Sequence, residues 1–347
     1  MAMLRSVTAE LNGGGYSSVA DETSPHHTSI LVVYTKRQQH NLTNPTSDTM
    51  SKIRNVVVAG GTGYIGTAIV DALLEAKFNV SIVTRDASSP SSQKAKAPVV
   101  QSDYTLASLT DIFTGQDTVI STVSVGPAIM AQKTMIEAAV KAGVPRFIPS
   151  EYGSSSQNIR IDDFKKLMAP KVQIIDHLRK VAYENPAFTW SCLASGALLD
   201  NGLKSGTWGI SLSDRAATIF DSGKARFDST VLPKVASAVI SILKNPDITA
   251  NRYLVVRNFV VSQNEILAAV EDATGTKWTR TYLDSNVTKK KGWELLQSGN
   301  PVAGIPKIIQ GSLFYGDTDV ATPADQLDNR LLGVAELELQ EYIKRLI

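Results

Sequence analysis

The chain has 347 residues, 43% of them hydrophobic and 20% charged, an ordinary globular composition with room for one large or two modest domains. Its 35 basic and 33 acidic residues leave a formal charge of +2, which gives no broad footprint for nucleic acid, and no apolar run nears the roughly 20 residues needed to cross a bilayer. The single cysteine, Cys192, excludes an internal disulfide and a thiolate metal centre, and three of the four histidines (His26, His27 and His40) lie in the first 52 residues, so no metal is expected.

Residues 1–52 are rich in Ser, Thr, Asn and Gly and carry one short β-like run, "SILVVY"; they read as a disordered extension. They have neither the layout of a secretory signal nor the Arg-rich, acid-poor composition of a mitochondrial presequence, and a cytoplasmic protein is expected. Met50, just ahead of the first strand, offers an alternative start.

From Ile53 the pattern is strand, turn, helix, repeated. "RNVVVAG" is a continuous apolar run, as a strand covered on both faces requires. "YIGTAIVDALLEAKF" then places Ile65, Ile69, Leu73 and Leu74 at helical spacing. Strands "NVSIVTR", "APVVQSD", "DTVISTV" and "VPRFIPS" follow, with helices at "TLASLTDIF" and "AIMAQKTMIEAAVKAG", the latter ended by Gly143. Such alternation predicts an α/β fold with a doubly wound parallel sheet.

Further on, "APKVQIIDHLRKVAYE" predicts a helix with Pro170 in its first turn, and "AFTWSCLASG" a strand. Residues 197–226 read as loop, "LPKVASAVISIL" as helix and "RYLVVRNFVVS" as one strand. "SQNEILAAVEDATG" opens with Ser262 three residues before Glu265, a capping-box spacing, and closes on Gly275. The expected organisation is a Rossmann-type dinucleotide-binding domain over 53–195 and, over 196–347, a smaller α/β substrate-binding cap interleaved with the sheet.

Between the first strand and helix lies "AGGTGYIG". Gly61, Gly63 and Gly66 fit G-x-G-x-x-G, while Gly60, Gly63 and Gly66 fit G-x-x-G-x-x-G. In that context the turn (Gly60, Gly61, Thr62, Gly63, Tyr64, Ile65, Gly66) is placed to bring backbone amides and a helix N-terminus to a pyrophosphate. At the end of the second strand stands Arg85, whose guanidinium can pair with a 2′-phosphate, with Lys94 downstream adding charge; this favours NADP (NADPH), while Asp86 leaves NAD open. Ser121, Thr122 and Val123, like Ser124, end the fourth strand and fit either a cofactor path or a plain strand end.

None of the ten tyrosines has a lysine four residues later, so a Tyr-x-x-x-Lys proton-transfer pair is absent. The stretches "AGGTGYIG", "VTRD", "STVS" and "FIPSEYG" resemble the NmrA-like, isoflavone-reductase-like group of atypical short-chain dehydrogenases, over about residues 53–335. "SGALLDNGLKSG" is similar to its fungal members, often found in secondary metabolism. The resemblance implies that Ser150, Glu151 and Tyr152 form a turn beside the nicotinamide, and that Lys171 is the general acid/base, Lys165 and Lys166 being the alternatives. It further implies an NADPH-dependent reductase of an aromatic or phenolic small molecule, a monomer or homodimer with no nucleic-acid or membrane partner. The alternative is a dinucleotide-sensing regulator without turnover, a branch in which no equivalent of Lys171 is expected. Residues 196–209, "GALLDNGLKSGTWG", are the candidate lid, whereas Trp190, Phe188, Leu198, Leu199 and Trp208 read as core, Cys192 as inert, and His177 as lying off the face of Lys171.

Overall fold

The computed structural model describes residues 53–123, 127–157 and 161–347; the expected N-terminal extension and Ser124 lie outside them. Strands run β1 (Asn55–Ala59), β2 (Asn79–Thr84), β3 (Val99–Gln101), β4 (Thr118–Ser121), β5 (Arg146–Ile148), β6 (Thr189–Ala194), β7 (Ala197–Leu198), β8 (Ile210–Ser211), β9 (Ala216–Phe220), β10 (Phe227–Thr230), β11 (Arg252–Val255), β12 (Phe259–Val261) and β13 (Thr279–Leu283). The helices used below are α1 (Tyr64–Glu75), α2 (Pro90–Gln93), α3 (Leu106–Phe113), α4 (Gln132–Lys141), α5 (Asp162–Glu184), α6 (Leu199–Ser205), α7 (Leu232–Lys244), α8 (Pro246–Thr249), α9 (Gln263–Thr274), α10 (Ser285–Gln297) and α11 (Pro301–Leu313).

Seven strands form one sheet in the order β11-β6-β5-β4-β1-β2-β3, and every neighbouring pair is parallel. The unbroken apolar run of β1 follows from its central place. Val56 and Val58 enter the core under α1 and α7 with Ile69, Leu73 and Val239, while Val57 and Ala59 enter the opposite one with Phe113, Ile136 and Ile175. Helices therefore cover both faces, and the order of the strands reverses between β1 and β4, β2 and β3 being added to one side and β4 onward to the other, which leaves a crevice at their carboxyl ends. The α4 helix stops as Gly143 takes a positive φ of 76°. At α9 both hydrogen bonds of the Ser262–Glu265 capping box form, and Gly275 ends that helix in the left-handed region.

Three elements differ from the sequence expectation. Helix α5 begins at Asp162 rather than at Ala169, and Pro170 sits inside it rather than in its first turn. Its early turns are held by burial: Phe164, Leu167 and Met168 pack with Ile308 of α11, a tertiary gain that offsets the proline's missing N–H. "RYLVVRNFVVS" is two strands in two sheets, β11 beside β6 and β12 beside β10. The ladder changes hands within three residues, as Val256 N–H bonds Ala194 O and Asn258 N–H bonds Ser229 O. Between them Arg257 is buried against Asp228 at 2.9 Å, which pins the crossing.

Residues 197–226, expected as loop, hold β7, α6, β8 and β9. These elements build two small sheets, β12-β10-β7 and β13-β9-β8, around a second core. At its centre Phe314 stacks on Phe220, with the ring centroids 5.4 Å apart, and meets Trp208 edge-on. Gly202 in α6 lies directly against the indole, and a Cβ there would overlap its nitrogen. Gly202→Ala should therefore cost about 1–3 kcal/mol, read as a lower urea midpoint with an altered tryptophan emission; an unchanged midpoint would show that the ring moves aside freely.

Candidate active site

The crevice at the carboxyl edge of the sheet is a cleft of about 700 Å³, within the usual size of a small-molecule site. One wall is the glycine turn. Gly60 takes a φ of +80°, and a Cβ on Gly66 would collide with the Gly60 carbonyl oxygen and come within 2.7 Å of Gly61 Cα. Gly66 thus lets α1 press against the end of β1. Gly63 differs: it is exposed, with an ordinary φ of −81°, and a Cβ there would meet nothing closer than 3.3 Å. It is the N-cap of α1 and offers no side chain to the first-turn N–H groups, so the positive end of the helix faces the cleft.

Gly60, Thr62, Gly63, Tyr64 and Ile65 line the cleft, whereas Gly61 and Gly66 lie buried beneath the turn. Arg85 lines it at the end of β2. The neighbouring carboxylate of Asp86 is taken up locally, accepting from Ser88 N–H at 2.8 Å and Ser88 Oγ at 2.6 Å, and these bonds hold it below the usual carboxylate range. Thr122 and Val123 line the cleft, but Ser121 is wholly buried one residue earlier. Lys94 is exposed at the end of α2 and does not line it. Tyr104, which the sequence reading did not single out, lines it beside Arg85; burial raises its phenol pKa, and the Arg85 charge opposes that rise.

The far end of β5 carries the second wall. Ser150 is fixed twice, its N–H donating to Gln132 Oε1 at 2.8 Å and its Oγ to Val123 O at 2.7 Å. Tyr152 has a φ of +28°, unusual for a residue with a Cβ, and is held there by its N–H to Leu193 O at 2.9 Å. Burial drives its phenol pKa upward, and its hydroxyl has no hydrogen-bond partner among the described residues.

Lys171 enters from α5. Phe164, Met168 and Lys171 stand four and then three residues apart, so they share the helix face that borders the cleft. The Lys171 side chain is only 7% exposed. Its ammonium donates to the Glu151 backbone carbonyl at 2.5 Å and lies 3.7 Å from Glu151 Oε2. Lys165 and Lys166 are exposed on the same helix and pair with Asp162 and Asp163. His177 does not line the cleft; it is partly buried, and desolvation lowers its pKa. Cys192 is fully buried, and burial pushes its thiol up.

Beyond Lys171 the cleft turns apolar, bounded by Phe164, Met168, Leu198, Trp208, Ile309 and Leu313. Trp208 and Leu198, expected as core alone, are both core and wall, and Trp208 Nε1 is anchored on Leu198 O at 3.1 Å. The candidate lid contributes to this wall from a strand, a helix and a turn: Leu198 in β7, Asn201 in α6 and Trp208 in the turn before β8. Among the described lining residues, Arg85 and Lys171 are the cations and Glu151 the carboxylate. The arrangement pairs an anion-seeking half with an apolar half, and the buried ammonium sits at their junction.

The NmrA-like family model matches residues 52–327. The chain is 37% identical to the oxidoreductase aprR of Aspergillus flavus, over 74% of its own length and 85% of the relative. It is 32% identical to the oxidoreductase poxI of Penicillium oxalicum, over 83% of its length and 92% of the relative. A solved structure of AtPrR2 with NADP+ and (+)pinoresinol shares the fold, with a TM-score of 0.66 at 20% identity, covering 85% of this chain and 99% of that one.

The two glycines should separate by experiment. Gly66→Ala is expected to lose about 1–3 kcal/mol in urea unfolding through backbone overlap. Gly63→Ala should stay within ~0.5 kcal/mol of wild type, because its backbone suits alanine. Equal losses at both positions would contradict the division drawn from the Cβ geometry.

Proposed function

The chain belongs to the NmrA-like family, and from that premise we propose that it is an NADP(H)-dependent oxidoreductase. Its substrate is an aromatic or phenolic small molecule of secondary metabolism, and Lys171 is the general acid/base. The observation that carries this reading is the place of Lys171, buried where the glycine-turn half of the cleft meets the apolar half. Further support comes from the relatives named as oxidoreductases and from the NADP+ and pinoresinol in the structure of shared fold.

The residues present fit the cofactor. The uncapped N-terminus of α1 and the exposed backbone at Gly63 would take the pyrophosphate. Arg85, which no carboxylate among the described residues neutralises, and whose neighbour Asp86 is occupied by Ser88, would take the 2′-phosphate. Thr122, Val123 and the Ser150–Tyr152 turn would border the path to the nicotinamide. When bound, the cofactor supplies the hydride.

The chain's own part is to orient, to keep water out and to move a proton. The apolar wall of Phe164, Met168 and Trp208 would hold a flat ring by contact and desolvation. An ammonium has three N–H donors; one of Lys171's is spent on the Glu151 carbonyl, and the others are free to meet a phenol or carbonyl oxygen. Lys171 Nζ gives that oxygen a proton, or takes one from it, as charge changes on the substrate.

Purified protein incubated with NADPH and a panel of phenols, quinones and carbonyl compounds should oxidise the cofactor. Lys171→Ala should lower turnover at least ~100-fold with nearly unchanged NADPH affinity. Wild-type protein that binds NADPH and oxidises it with no member of the panel would favour a sensing role instead. Arg85→Ala should weaken NADPH about tenfold or more, in line with loss of a charge-assisted hydrogen bond, and leave NADH nearly unaffected. Equal losses for both nucleotides would remove the 2′-phosphate assignment.

A further inference from the structure

Glu151 does more than lend its backbone carbonyl to Lys171. Its side chain is 1% exposed, and a carboxylate so deeply buried needs donors. Oε1 accepts from the Tyr253 hydroxyl at 2.6 Å and from Ser156 N–H at 2.9 Å. Oε2 stops 3.7 Å from Lys171 Nζ, beyond hydrogen-bond length. Tyr253 comes from β11, the outermost strand of the large sheet, and does not line the cleft. Its hydroxyl is itself pinned, since Ser156 N–H also points at it from 2.9 Å. Burial and the Glu151 charge raise the phenol's pKa well above its ordinary value, so it remains a donor.

We propose that Tyr253 is a positioning residue: by claiming Oε1 it holds the Glu151 carboxylate short of direct contact with Lys171 and leaves the ammonium facing the cleft. The proposal rests on Lys171 being the proton carrier. The physical argument is competition for one buried carboxylate. With the Tyr253 hydroxyl gone, Glu151 has one donor fewer and the ammonium is the nearest replacement. A direct ion pair would then draw Lys171 away from the position in which a substrate oxygen meets it. Removing the charge of Glu151 acts in the opposite sense and frees the ammonium.

Full-length protein, treated with trinitrobenzenesulfonate and analysed by peptide mass spectrometry, reports the availability of each lysine without requiring a substrate. Lys165, Lys166 and Lys180 are exposed on the same helix and serve as internal references. Tyr253→Phe should label at Lys171 about threefold more slowly than wild type, and Glu151→Gln about threefold faster, with the references unchanged. In turnover, Tyr253→Phe should lower kcat about fivefold at constant KM. Unchanged Lys171 labelling in Tyr253→Phe overturns the proposal. So does faster labelling of all four lysines, which would mean that α5 has merely loosened. If Lys171→Ala keeps full turnover, the proton-carrier reading fails, whatever the labelling shows. If Lys171→Ala is inactive while Tyr253→Phe keeps its kcat, that reading stands and the positioning role fails.

Discussion

A lysine ammonium and a glutamate carboxylate share a nearly dry pocket in the wall of the cleft, and much of the surrounding architecture serves to keep them there. Such a pair forfeits several kcal/mol of hydration per ion, so it persists only where other groups satisfy both partners. The Glu151 carbonyl, Tyr253 and Ser156 N–H do so here. Different parts of the fold place the pair and its partners: Gln132 and Leu193 fix the turn after β5, the pairing of β11 with β6 sets Tyr253, and the packing of α5 on α11 sets Lys171. The positive φ of Tyr152 lies in the same turn, where local strain is tolerated because the neighbours over-determine it.

The opposite wall divides its tasks among similar residues. Gly66 is small so that helix and strand can meet, while Gly63 is small so that the cleft stays open above the helix end. Arg85 and Asp86 are neighbours of opposite charge, and a turn decides between them: Ser88 engages the carboxylate, and the guanidinium is left on the cleft. The result is a gradient, from helix terminus and arginine through the Lys171–Glu151 pair to an aromatic and aliphatic wall. That order suits a charged, elongated cofactor meeting an apolar reactant at an ammonium.

Much of this was legible in the chain. The run Val56–Ala59 announced a strand buried on both faces, Gly143 and the Ser262–Glu265 pair marked helix ends, and the glycine spacing marked the turn. These signals are local: each depends on a few adjacent residues or on a helical period. The small sheets were not legible, because strands as short as Ala197–Leu198 and Ile210–Ser211 carry no period to detect. Nor was the extension of α5 through Pro170, where burial against a helix over a hundred residues later overrides a local preference. The break between β11 and β12 depends on which partner strand each half finds. Tyr253 and Gln132 joined the site unannounced, for a hydrogen bond to Glu151 or Ser150 leaves no mark on the spacing of either.

The most direct test is a crystal structure grown with NADP+. The pyrophosphate is expected over the turn from Gly60 to Gly66, the 2′-phosphate at Arg85, and the nicotinamide between the Ser150–Tyr152 turn and Lys171, open toward Phe164 and Trp208. A dinucleotide whose nicotinamide lies away from Lys171, or whose 2′-phosphate lies in solvent away from Arg85, would contradict the assignment of this cleft as a site of hydride and proton transfer.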